Sequence, residues 1–241
     1  MTVVGRIEFA PRPQSATMSW DSIARRYVEH DTTAQTTFGE LPKLAPANDN
    51  APPLGQSYVG GPPPTANRIG DFMQTYTGQM FWPLDPRPDE INIFDIAHSL
   101  SLQCRYAGHC ERFYSVAEHS VLMARWVSPP SRLWALLHDA SEAYLVDVPR
   151  PLKRHLPGYK EAEAKVMEAI CFRFDLSKEM PAEVHEADNR IIADELMNMR
   201  SMAWHAKHDD PLGVRLEFWS PKEASGHFLL EFERLTGRAA A

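Results

Sequence analysis

Cysteine is scarce in this chain: three residues in 241, Cys104, Cys110 and Cys171, an odd number with no CxxC pair. That excludes a disulfide framework and suits a reducing compartment. No run of about eighteen apolar residues occurs, so no segment reads as membrane-spanning. The N-terminus, MTVVGRIEFAPRP, lacks a basic stretch leading into a long apolar one, so it does not read as a secretory signal and a cytoplasmic protein is expected. Positive charge is also short: 25 Lys and Arg against 32 Asp and Glu give a net −7. A surface with that balance is a poor coat for a nucleic-acid polymer, although a small basic pocket for a nucleotide stays compatible with it. Strand signals are few, at best RFYSV (112–116) and VRLEFW (214–219), and no internal repeat is visible.

What the chain has is helix-forming sequence behind a proline-rich extension. Residues 1–67 hold nine of the twenty prolines, including APANDNAPP and GGPPP, and few large apolar residues at any regular period. Such a segment cannot bury enough surface to offset its ordering entropy, and disorder is expected. Within it, WDSIARRYVEH (20–30) could form a helix, either transient or docked.

From residue 68 to 241 the pattern is that of one all-α domain with at most a small hairpin. INIFDIAHSLSLQCRY places Ile93, Ile96, Ala97, Leu100 and Cys104 on one helical face. SVAEHSVLMARWV carries Val116, Ser120, Met123 and Val127 on a stripe that SPPS ends. SRLWALLHDASEAYL has Ser131 as a candidate N-cap and Leu133, Leu136, Leu137 and Ala140 as its core side. Further stripes run through Ala162, Val166, Ile170 and Phe174, and through Val184, Ala187, Ile191 and Met199. SPKE (220–223) reads as a capping box opening a last helix through Phe228, Leu229, Phe232 and Leu235.

Against this apolar background the stretch WALLHDASEAYLVDVPRPLK (134–153) concentrates charge. Buried charges need partners, solvent or a metal. His119, His138, Asp139 and Asp188 lie in three separate helical segments that could converge on one point. Two imidazoles and two carboxylates suit a first-row divalent ion better than calcium. Glu142, one turn after His138, is placed to orient a bound water or exchange a proton with it, and Asp147 follows in the next turn. Arg105, Arg112, Arg150, Lys153 and Arg154 supply cations nearby in sequence, which phosphoryl transfer requires. Two other clusters are weaker. HAKHDD (205–210) reads as a solvated loop, and Cys104, His109 and Cys110 lack the second pair that a zinc finger needs.

The order H…HD…D on helices resembles the HD-domain superfamily of metal-dependent phosphohydrolases. YSVAEHS (114–120), HDASEAYLVDVPRPLK (138–153) and EADNRIIADEL (186–196) are similar to the subgroup of bacterial 5′-deoxynucleotidases and phage dATP triphosphohydrolases. The resemblance spans roughly residues 74–236. It implies an HD-domain helical bundle in which His119, His138, Asp139 and Asp188 hold one divalent transition metal (cobalt, manganese, zinc, nickel or iron). Glu142 would orient the attacking metal-bound water, and Asp147 would assist the leaving 5′ oxygen. Arg105, Tyr106 and Lys153 would contact substrate, with Tyr106 standing where the subgroup has tryptophan. In the turn before Lys153, VDV replaces the subgroup's GD.

The implied activity is removal of phosphate, or triphosphate, from the 5′ position of deoxynucleotides. The implied partners are a nucleotide small molecule and further copies of the chain in a homo-oligomer, with no nucleic-acid polymer and no membrane. Hydrolysis of another phosphoester, or a non-catalytic regulatory or binding module, are the alternatives.

Overall fold

The computed structural model describes residues 68–238. The proline-rich segment 1–67, with the helix expected at 20–30, lies outside them. The described residues are mostly helical. They open on a short hairpin, β1 (Met73–Gln74) antiparallel to β2 (Met80–Phe81). Eight α-helices follow among the described residues: α1 (Ile93–Leu102), α2 (Val116–Trp126), α3 (Arg132–Leu137), α4 (Glu142–Leu145), α5 (Arg150–Lys153), α6 (Tyr159–Phe174), α7 (Ala182–Glu195) and α8 (Pro221–Thr236). None is long and apolar enough to cross a membrane.

The hairpin forms outside both segments with strand-like composition. Gly78, at φ 81°, closes the 75–79 turn, and Phe81 is fully buried with its ring stacked 4.0 Å from that of Tyr144. Packing rather than β-propensity decides the position. Of RFYSV only an isolated bridge, Cys104 with Ser115, is made. VRLEFW forms no strand, because three of its N–H groups go to a side chain.

That side chain belongs to α2, the central helix, which packs against α1, α3, α7 and α8. Nine of its eleven residues are buried, so α2 has no polar face to turn to water and its polar side chains need internal partners. Ser115 caps its N-terminus by accepting from Glu118 N–H. The buried Glu118 carboxylate accepts from Glu217 N (2.7 Å), Phe218 N (2.9 Å) and Trp219 N (2.7 Å). It thereby straps the 214–219 segment across the helix, with Phe218 held at φ 59°. Glu118→Ala leaves these three donors unsatisfied and is expected to cost about 3 kcal/mol, read as a lower urea midpoint.

The apolar stripes face inward as the periodicity requires. Ile96, Ala97 and Leu100 of α1, Met123 of α2, Leu136 and Leu137 of α3, Val166 and Ile170 of α6, Ile191 of α7 and Phe228 of α8 are fully buried in one core. At the start of α8, Ser220 and Glu223 form the reciprocal capping box, with Pro221 in the first turn. Farther along α8, the Phe232 ring meets Phe174 of α6 edge-on at 5.2 Å.

Candidate metal centre

The 131–145 stripe predicts one continuous helix, yet α3 ends at Leu137 and α4 begins at Glu142. Between them the chain tightens: Ala140 N bonds Leu137 O (3.0 Å) and Glu142 N bonds Asp139 O (2.9 Å). These are three-residue bonds in place of four-residue ones. His138 and Asp139 therefore sit in a turn at the end of a short helix rather than inside one. Adjacent residues 138 and 139 both reach one point, Asp139 Oδ2 lying 3.2 Å from His138 Nε2.

That point is where three elements meet. His119 comes from α2, His138 and Asp139 from the turn after α3, and Asp188 from α7. The His119, His138 and Asp188 ligand atoms all lie within 4.8 Å of one another. The two imidazole Nε2 atoms are 3.2 Å apart. Asp188 Oδ1 is 3.5 Å from His119 Nε2 and 3.9 Å from His138 Nε2. Asp139 Oδ2 is 3.2 Å from His138 Nε2 and 3.8 Å from His119 Nε2, and it also faces Arg105 at 3.6 Å.

Hydrogen bonding fixes which ring nitrogens are free. His138 Nδ1 faces the carbonyl of Ala135 at 2.8 Å, and a carbonyl only accepts, so Nδ1 carries the proton. His119 Nδ1 faces Glu195 Oε1 at 2.7 Å and donates to it. In the neutral rings both Nε2 lone pairs then point at each other and at two carboxylates. Four acceptors with no donor among them repel, and a cation resolves the conflict. Metal–ligand bonds of about 2.0–2.1 Å set tetrahedral donor–donor edges near ~3.3 Å, close to the spacings seen here. Around the cluster the carboxylates of Asp139, Asp188 and Glu195 outnumber the guanidiniums of Arg105 and Arg150, leaving net negative charge for a cation to offset. The residues fit such an ion.

The electrostatics of the cluster's own side chains point the same way. Burial disfavours the His138 imidazolium, but Asp139 and Asp188 overcome this and raise its pKa to about 9. Burial would raise Asp139, yet His138, His119 and Arg105 hold it well below the usual carboxylate range. Asp188 is likewise held low against burial, by His119 and His138. The site attracts positive charge, and a proton takes that place when no metal does.

Glu142 shows the opposite behaviour. Burial, reinforced by the charges of Asp139 and Asp147, pushes its pKa up to about 10, and Arg105 and Lys153 only partly oppose this. Its Oε2 is buried without a hydrogen-bond partner among the described residues. Gln103 holds the backbone around it, donating to Glu142 O (3.0 Å) and accepting from Asp147 N (3.2 Å).

Asp147 is placed by a strained neighbour. Val146 has φ 65° and ψ 148°, a region open almost only to glycine. It is held there because its N–H bonds Glu142 O (2.8 Å) and its carbonyl accepts from Tyr159 Oη (2.6 Å). The Val146 side chain is 61% exposed, so little packing is lost without it. Val146→Gly is expected to stabilise the fold by about 1 kcal/mol, strain relief exceeding the entropy of glycine, read as a higher Tm by calorimetry.

The cations expected at the substrate are engaged. Arg105 reaches Asp139 and, at 3.3 Å, Glu195, while its buried Nε has no partner among the described residues. Lys153 pairs with Glu163 of α6, its ammonium 5.5 Å from the Tyr159 ring. Arg150, largely exposed, reaches Asp188 Oδ2 at 3.2 Å. Tyr106 does not present a free aromatic face with an idle hydroxyl, since its Oη donates to Glu195 at 2.5 Å. Beside HAKHDD, Trp204 meets His205 and His208 edge-on at 4.6 and 5.5 Å.

Glu195 is the residue the sequence pattern passed over. It is fully buried at the end of α7, and His119, Tyr106 and Arg105 all converge on it. Burial would raise its pKa, but Arg105 and His119 draw it down to about 2, so it is a carboxylate. One signal was present: Glu195 lies seven residues, two turns, after Asp188 and so shares its face.

No family model matches the chain. It is 44% identical over 124 residues to the uncharacterized protein YfdR of Escherichia coli, an alignment covering 52% of this chain and 70% of YfdR. It is 39% identical over 126 residues to an uncharacterized protein of Rhodobacter capsulatus, covering 48% of this chain and 64% of that protein. The chain belongs to the family that includes YfdR.

Proposed function

We propose that the protein is an HD-type metal-dependent phosphohydrolase that removes phosphate or triphosphate from the 5′ position of deoxynucleotides. The observation that carries this reading is the convergence of His119, His138 and Asp188, with Asp139 against both histidines, beside two buried, unpartnered polar atoms, Glu142 Oε2 and Arg105 Nε. A native fold rarely leaves a buried acceptor and a buried donor idle next to one cluster unless a ligand uses them.

The four ligand residues would hold a divalent ion, which when bound acidifies water and withdraws charge from a phosphoryl oxygen. Glu142 lies one short turn from Asp139; a divalent cation held beside it would favour its ionised form, and its free oxygen would then orient the attacking water and take its proton. Arg105 offers its idle Nε–H, and its contacts of 3.3–3.6 Å to Glu195 and Asp139 are loose enough to shift toward a phosphoryl oxygen. Asp147, fixed by Val146 and Gln103, would assist the leaving 5′ oxygen by relaying to it the proton taken from the attacking water. Lys153 reaches substrate after exchanging Glu163 for phosphate.

The test is product release from the four dNMPs, the matching NMPs and the four dNTPs, with metal-stripped protein resupplied with manganese, cobalt or zinc. Orthophosphate from dNMPs, or triphosphate from a dNTP, supports the reading and separates its two forms. Stoichiometric metal with no release from any of these substrates overturns it.

A further inference from the structure

We infer that Glu195 is a positioning residue that ties the metal cluster to the loop carrying Arg105 and Tyr106, so that a cation at one and an anion at the other bind cooperatively. Its two carboxylate oxygens serve different sites. Oε1 accepts from the metal-ligand candidate His119 at 2.7 Å. Oε2 accepts from Tyr106 Oη at 2.5 Å and from the Arg105 guanidinium at 3.3 Å. A planar carboxylate cannot turn one oxygen without moving the other, and burial denies it water as a substitute partner.

The loop needs such a tie. Tyr106, Ala107 and Gly108 all have positive φ, at 55°, 52° and 80°. A left-handed conformation is unfavourable for an L-residue, so residues 106 and 107 hold it only if bound elsewhere. The ties run to the end of α7. Besides the Tyr106–Glu195 bond, Glu111 N bonds Asn198 O (2.9 Å), and Asn198 exchanges two hydrogen bonds with the Arg112 backbone, each 2.9 Å. The same α7 carries Asp188, so this helix and the turn that follows it present a candidate metal ligand, the orienting carboxylate and the strap for the loop.

A metal that fixes the His119 ring therefore fixes Glu195, and through it Tyr106 and Arg105. By linkage, whatever Arg105 binds must strengthen the metal by the same factor. The cation half rests on the donor cluster, and the anion half rests on the phosphoester reading proposed above.

The experiment uses the full chain, cobalt(II) and inorganic phosphate, with no nucleotide. Cobalt affinity is measured by titration with and without saturating phosphate, and amide hydrogen exchange of residues 105–112 is followed with and without cobalt. Glu195→Gln is expected to weaken cobalt binding about 10- to 100-fold, the usual effect of losing a group that orients a ligating histidine. Tyr106→Phe touches no ligand of the cluster, yet it is expected to weaken cobalt about five-fold and to abolish the cobalt-dependent slowing of exchange. Phosphate tightens cobalt in the wild type and not in Tyr106→Phe.

Lys178→Ala, which breaks a surface ion pair with Glu168, serves as the unaffected control. Cobalt affinity within about twofold of wild type in Tyr106→Phe, with undiminished loop protection, overturns the coupling even if Glu195→Gln does not fold. Neither readout uses a nucleotide, so a failure of deoxynucleotide hydrolysis and a failure of this coupling are separate results.

Discussion

Glu142→Gln is expected to lower kcat by about 10³-fold while the variant still binds one divalent ion per chain, because it removes proton transfer and leaves the four ligand residues intact. The same change is expected to raise the thermal stability of the metal-free protein. In that state the folded pKa of Glu142, about 10, lies far above the ordinary carboxylate value. The folded protein thus binds a proton that the unfolded chain has already released at neutral pH. Stability attributable to Glu142 is complete below about pH 4.5 and declines as pH rises toward 10. Glutamine keeps the shape and never ionises, so the gain in Tm over wild type grows between pH 6 and pH 9. Activity lost while stability rises marks a residue retained for chemistry. Losing both together would mean that Glu142 serves the fold, and its catalytic assignment would fall. The measurement is a paired set of steady-state rates and metal-free melting curves across that pH range.

His138→Ala and Asp188→Ala are expected to abolish stoichiometric metal binding and to reduce turnover by at least about 10³-fold, since Lewis acidity at phosphorus contributes several kcal/mol. The two substitutions should differ in stability. His138 Nδ1 bonds Ala135 O inside the turn that follows α3, so its removal also loosens that turn. Asp188 is partly exposed, and its nearest partners are the other candidate ligands and Arg150. Metal-free Asp188→Ala should therefore unfold at a urea midpoint close to wild type, and His138→Ala at a lower one. Wild-type metal content in either variant would remove that residue from the ligand set.

The helical faces were readable because burial on one side imposes a 3.6-residue period whatever the partner. Ile96, Leu100, Val166, Ile170 and Phe228 needed only that rule, and the Ser220–Glu223 box is local by construction. Clustering of the HD pair with His119 and Asp188 could also be anticipated, since charge placed on an apolar stripe demands a partner. Features set by distant residues could not. The break between Leu137 and Glu142 carries no proline or glycine, and the stripe continues through Ala140. Glu118 looks like an ordinary first-turn acid until residues 217–219 arrive about a hundred positions later to donate to it. The period places Glu195 on the inward face of α7, but its partners Arg105, Tyr106 and His119 lie some 76 to 90 residues away and carry no local signal. Residues 112–116 and 214–219 have strand composition, but the first makes only a single bridge to Cys104 before α2 begins and the second meets the Glu118 carboxylate instead of another strand.

The most direct test is to strip the protein of metal, reload it stepwise, and follow bound metal together with deoxynucleotide hydrolysis. The expected result is one ion per wild-type chain, with hydrolysis rising in proportion to occupancy and absent in Asp188→Ala. Hydrolysis at full rate in the stripped protein, or a fully loaded protein that cleaves no deoxynucleotide, would contradict the proposed activity.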